Sequence, residues 1–181
     1  MQPRNDTARF ERLFEDHHAA VLGYALRRCD SPEDAADAIA DVFAVAWRRL
    51  DDVPAGDAAR WWLYSTAHKS IANARRSTRR RDSLVESLAT ELSSAVNRHE
   101  HTLGELSGEV RAAMDSLGPE EREILALSAW EELKPHEIAG VLGIGRATAR
   151  TRLHRARKRF ADALERAPEL ATTVPSEEPT R

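Results

Sequence analysis

The sequence predicts an all-α protein built as two small helical domains joined by a flexible linker. Three observations carry this. Apolar residues recur at i, i+3, i+4 and i+7 through both halves, the helical period rather than the alternation of strands. Helix-start signals precede several of these runs, above all Ser31-Pro32-Glu33-Asp34. Between the halves, from about Asp82 to Ser107, the periodicity weakens and polar residues accumulate.

The first helix is expected to bury Phe10, Leu13, Phe14, Val21, Tyr24 and Ala25. The second starts at Ser31 as N-cap and turns Ile39, Val42, Phe43, Ala46, Trp47 and Leu50 inward. Pro54 and Gly56 make 51–56 a loop. Asp57 can cap a third helix through Trp61, Trp62, Leu63, Ala67, Ile71 and Ala74, with Trp62 read as core. The linker, 82–107, is expected to be helical in part around Leu84, Leu88 and Leu92. A second unit opens near Gly108 with Val110, Ala113, Met114 and Leu117 on one face. Gly118-Pro119 breaks that helix and starts the next, which buries Ile124, Leu125 and Leu127. Pro135 starts another, with Ile138, Val141 and Leu142 inward. Arg146 opens the last, on Leu153, Ala156, Phe160 and Leu164. The tail, 167–181, holds Pro168, Pro175 and Pro179 and is expected to be disordered.

The chain has 181 residues, with 41% apolar and 31% charged residues, a balance that two small domains tolerate better than one globule. One cysteine, Cys29, excludes an internal disulfide and suits a reducing compartment. No apolar run approaches the ~20 residues that span a bilayer, and the N-terminus shows no signal-peptide core. A soluble, cytoplasmic protein without membrane insertion is expected. Enzyme signals are poor. His17 and His18 diverge on a helix, His99-Glu100-His101 lacks helical ligand spacing, and there is no phosphate loop or nucleophile elbow. No catalytic residue, metal site or cofactor is expected.

The net charge of −3 conceals a segregated pattern. Residues 60–81 hold seven Lys and Arg and no acid; residues 82–145 hold four Lys and Arg against thirteen Asp and Glu; residues 146–160 again hold seven cations and no acid. Two cationic blocks late in each helical unit point to nucleic acid. The second block is the more specific. Pro135 to Leu142 is a short amphipathic helix, Leu142-Gly143-Ile144 a glycine-bearing turn, and Gly145 opens the cationic helix, which is the pattern of a helix-turn-helix. Ala139 is small where the helices would cross. On the second helix Arg146, Thr148, Arg150, Thr151, Arg152 and Arg155 lie on or beside the exposed arc. Arg can read guanine, and Thr can meet a thymine methyl or a phosphate. In the first block, Trp61, His68, Lys69, Asn73, Arg75 and Arg76 are the candidates. Aromatics beside cations suit unpaired bases, whose faces stack while their phosphates meet Lys and Arg.

Taken in order, these pieces resemble the extracytoplasmic-function sigma factors of the sigma-70 family. In the first half the resemblance rests on Ser31-Pro32-Glu33-Asp34-Ala35-Ala36-Asp37, Val42-Phe43, Trp47-Arg48 and Trp62-Leu63. In the second it rests on Leu117-Gly118-Pro119-Glu120-Glu121-Arg122-Glu123-Ile124-Leu125, Glu137-Ile138-Ala139, Leu142-Gly143-Ile144 and Arg152-Leu153 with Arg155-Ala156-Arg157. It implies sigma region 2 at 10–81 and region 4 at 108–166. It also implies two partners, core RNA polymerase and promoter DNA, with an anti-sigma factor as a candidate third. Asp37, Asp41, Phe43 and Arg48 would meet polymerase. The 51–56 loop would receive a flipped base, and the set from Trp61 to Arg76 would face the minus-ten element. The helix after Gly145 would read the minus-thirty-five element. Ala40, His68-Lys69, Lys134, Gly145 and Ala149 depart from the family's usual residues. The competing readings are a stand-alone helix-turn-helix regulator and a helical adaptor without DNA.

Overall fold

Seven α-helices and one short 3-10 turn make up the described residues, 3–86 and 108–171, of the computed structural model, and no strand occurs among them. The helices are α1 (Pro3–Leu26), α2 (Pro32–Arg48), α3 (Ala58–Glu86), α4 (Gly108–Asp115), α5 (Pro119–Ala129), α6 (Pro135–Leu142) and α7 (Arg146–Ala171). α3 continues past 81 into the expected linker and α7 past Ala167 into the expected tail; the linker from 87, with Leu88 and Leu92, and the tail from 172 lie outside the described residues.

Backbone proximity divides the chain into two compact units. One is Met1–Gly104 with Glu137–Ile144, the other Glu105–His136 with Gly145–Arg181. The sequence reading instead keeps all of 108–166 together.

In the first unit α1, α2 and α3 pack pairwise into a three-helix bundle. Ser31 starts α2 as its sequence implies: its hydroxyl accepts the Asp34 N–H at 3.0 Å, satisfying one of the orphan donors of the first turn. Val21, Tyr24, Ala35, Val42, Ala46, Leu63 and Tyr64 are essentially sealed from solvent. Tyr24 and Tyr64 stack with ring centroids 5.0 Å apart, and Arg28 covers the Tyr24 ring at 3.7 Å. Burial of Val21, Val42 and Leu63 contributes roughly 1.5–3 kcal/mol each. Trp47 departs from the expected apolar face: it is 48% exposed, braced edge-on against Phe10. Trp62 is not core either but half-buried. The buried residues of α3, Ala59, Leu63, Tyr64, Ala67 and Ile71, define one face, and Trp62 lies well around the helix from it.

In the second unit α7 packs on α4 and α5. Arg122 fixes the turn between them. Its guanidinium donates to the carbonyls of Met114, Asp115 and Leu117 at 3.0, 3.1 and 3.2 Å, closing the C-terminal end of α4. Glu121 reaches back to the Gly118 N–H at 3.3 Å, so an acid serves the start of α5 where Gly118 offers no side chain.

Candidate nucleic-acid interface

α6 ends at Leu142, and Gly143 follows with φ +66°, the left-handed region that favours glycine. The Ile144 N–H then bonds to the Ala139 carbonyl at 3.0 Å, and the chain enters α7, where the Ala149 N–H meets the Gly145 carbonyl at 2.9 Å. The glycine-bearing turn is therefore formed locally as its sequence demands.

Along α7, Ala149, Leu153 and Ala156 are buried and set the inward face. Ala149 is fully sealed, which leaves little room for a β-branched residue there. Arg146, Thr148, Arg150, Thr151, Arg152 and Arg155 are all exposed. They are not equivalent. Opposite the buried stripe stand Thr148, Thr151 and Arg155, with Ala147, His154 and Lys158. Arg146 and Arg150 flank one side. Arg152 turns to the other flank, where it pairs with Glu120 of α5 at 2.7 Å. Arg159 pairs with Glu121 at 2.9 Å, and Arg157 donates to the Ser128 hydroxyl at 2.8 Å. Arg152 is thus partly committed to its own domain. His154 was missing from the sequence-derived set, although 147, 151, 154 and 158 share the i, i+4, i+7, i+11 spacing of one helix face.

On α3 the outward stripe runs through Trp62, Ser65, Lys69, Asn73 and Arg76, flanked by half-buried Trp61 and His68. His68 Nδ1 lies 3.4 Å from the Tyr24 hydroxyl, so its ring is tied to the bundle core. Arg76 bonds to Asn73 Oδ1. Arg75 departs from the outward stripe: it donates to the Arg28 carbonyl just past the end of α1. Its sequence neighbours put it in the interface set, but its hydrogen bond makes it a tie between helices.

On α2, Asp37, Asp41 and Arg48 are exposed and Phe43 is not. Phe43 is 5% exposed and meets the Phe14 ring at 4.7 Å and the Phe10 ring at 6.3 Å. A direct surface role for Phe43 is corrected to packing; the aromatic that α2 offers to solvent is Trp47. Asp37 and Asp41 border a cleft of about 360 Å³ between α2 and α3, beside Asp34, Ser70 and Cys29. Burial pushes the Cys29 thiol up to about 11, opposed by nearby Arg75, so it stays protonated at neutral pH.

The 50–57 segment is a shaped loop. Leu50–Asp52 forms the 3-10 turn, clasped by Arg49 on Asp52 at 2.8 Å, and Gly56 takes φ +64°. With α1 it borders an open cavity of about 440 Å³. No helix among the described residues is long and apolar enough to cross a membrane. His99 and His101 lie outside the described residues.

Comparison with known proteins matches residues 13–81 to the family described as Sigma-70 region 2 and residues 107–160 to that described as Sigma-70, region 4. The chain is 30% identical over 156 residues to the RNA polymerase sigma factor YlaC of Bacillus subtilis, covering 81% of this chain and 87% of that protein. It is 28% identical over 154 residues to the ECF RNA polymerase sigma factor SigL of Mycobacterium tuberculosis, covering 82% and 85%. Among solved structures, the sigma factor RpoE of Bartonella quintana, crystallised with the anti-sigma factor NepR, is similar in fold. It aligns with a TM-score of 0.64 at 22% identity, covering 86% of this chain and 96% of that one.

Proposed function

The chain belongs to the extracytoplasmic-function sigma factors of the sigma-70 family, whose function is promoter-specific transcription initiation, and within it we propose the following division of labour among its residues. Region 2 occupies 10–81 and region 4 occupies 108–166. Exposed Asp37, Asp41 and Arg48, with Trp47 in place of buried Phe43, meet core RNA polymerase. Trp61, Trp62, His68, Lys69, Asn73 and Arg76 face the minus-ten element, and the 50–57 loop takes a base flipped from the non-template strand. Thr148, Thr151, His154 and Arg155, flanked by Arg146 and Arg150, read the minus-thirty-five element, with Arg152 bracing the helix. Sigma factors are in general not enzymes; the work here is binding and strand separation, carried out in the cytoplasm with polymerase and DNA. An anti-sigma factor, the kind of partner crystallised with the Bartonella protein, is the further partner this reading admits.

The observation that carries the reading is the placement of two cationic helix faces on separate units, one with half-buried tryptophans and one behind a glycine turn. Extruding a base costs a few kcal/mol, which a fitted pocket and aromatic stacking recover. Run-off transcription with the cognate core enzyme tests it. Promoter-dependent transcripts are expected, and they should vanish when either promoter element is scrambled. Initiation that ignores both elements refutes the division of labour.

A further inference from the structure

The cavity beside the 50–57 loop has two walls of different origin. One is the loop itself, including Val53 and Gly56. The other is α1, through Arg9, Arg12, Asp16 and His17. The spacing of these four, i, i+3, i+7 and i+8, puts them on one side of that helix. The loop is fastened to this wall: Arg9 donates to the Val53 carbonyl at 2.9 Å, and its other nitrogen lies 3.7 Å from the Asp51 carboxylate.

The chemistry of the α1 wall is mixed. Arg12 only donates, Asp16 only accepts, and a neutral imidazole does one of each. His17 is kept neutral by burial, with Arg60 acting in the same direction and Asp16 and Asp57 opposing. In the cavity lining Arg9 and Arg12 stand with Asp16 and Asp57, so the charges balance. A phosphate would favour a cationic pocket. A neutral heterocycle with donors and acceptors along one edge favours this one.

We infer that Arg12, Asp16 and His17 of α1 read the hydrogen-bonding edge of the flipped nucleobase and determine which base is accepted, while Arg9 is a positioning residue that holds the loop against them. The inference rests on the loop's role as the base-receiving element. It adds a second wall, contributed by a helix outside the minus-ten set, and assigns specificity to it.

The test measures open-complex formation by full-length protein in holoenzyme on promoters carrying each of the four bases, or an abasic nucleotide, at successive minus-ten positions. The wild type should prefer one base at one position by about tenfold, the value of a good polar base contact, and lose that preference when the site is abasic. Arg12→Ala, Asp16→Asn and His17→Ala should flatten or reorder the preference, yet match the wild type on the abasic template. Arg9→Gln should weaken opening with all four bases, and Arg9→Lys should restore it by keeping the Asp51 pair. Equal losses on all templates, abasic included, would reduce the α1 residues to a structural role. Full retention of the preference in all three variants would also overturn the inference while leaving the loop reading intact. Indifference of the wild type to an abasic nucleotide at every position would instead sink the loop reading itself. Arg12 and Asp16 are exposed, so their substitution leaves the bundle folded, which a thermal midpoint checks.

Discussion

The acid-free blocks on α3 and α7 each hold seven Lys and Arg, yet the two helices present them differently. On α7 the cations on one flank are held by the domain itself, Arg152 by Glu120 and Arg159 by Glu121, which leaves two hydroxyls, His154, Arg155 and Lys158 on the exposed arc. On α3 half-buried Trp61 and Trp62 precede exposed Lys69 and Arg76, which follow about two and four turns further along the helix. Side chains of the first kind suit the edges of paired bases in a groove. Tryptophan beside cations suits the faces of unpaired ones. Equal charge therefore does not imply equal use; what stands between the charges decides.

The largest expected effects separate the helices by the state of the DNA. Trp62→Ala should lower open-complex formation on duplex promoter by roughly 10–100-fold if one base stacks on the ring, and most of the loss should disappear on a template with an unpaired minus-ten segment. Arg155→Ala should lower it by a similar factor if the side chain reads a base. That loss should persist on the unpaired template and disappear when the minus-thirty-five element is scrambled. Footprinting and run-off transcription distinguish the patterns; the same response from both variants breaks the comparison.

Next in size is Arg122→Met, which removes a charged donor from three carbonyls at the end of α4. It should cost about 2 kcal/mol of stability in the second unit, read by chemical denaturation, and leave minus-ten recognition unchanged on a template without an upstream element. Gly143→Ala places a Cβ at φ +66° and should cost about 1–2 kcal/mol, with upstream recognition weakened because the strained turn immediately precedes α7. Arg152→Gln should cost less than about 1 kcal/mol, since its pair with Glu120 is exposed, and should leave base preference intact. A changed preference would return Arg152 to the reading set.

The smallest effect is that of pH. Burial holds the His17 pKa below its usual 6.5, so the unfolded chain takes a proton before the folded one. The stability this represents is complete above that value and declines as the pH falls through and below it. The first unit should soften on mild acidification, and His17→Gln should flatten the response in a thermal-unfolding series.

Much of the fold was legible because short-range rules fix it. The Ser31 cap, the proline starts of α2, α5 and α6 and the inward periodicity of α7 depend on residues within a turn or two of one another. The site was legible in composition but less so in orientation. Phe43 and Trp47 lie four apart on the same amphipathic helix, and only the position of α1 decides that Phe43 is covered while Trp47 is not. Arg75 and Arg76 are adjacent cations in sequence, and only the end of α1 turns Arg75 into a tie.

By itself, then, the sequence determined the helical class, the two-part organisation, the glycine turn and the presence of two cationic helices, since local backbone preference and hydrophobic period suffice for these. The tertiary structure decided which cations are held by the protein's own acids and carbonyls, which tryptophans reach the surface, and that α1 walls the cavity beside the 50–57 loop. Those properties join residues tens of positions apart, such as Arg9 with Val53 and Arg152 with Glu120, and no local pattern encodes a pairing between helices that only packing brings together.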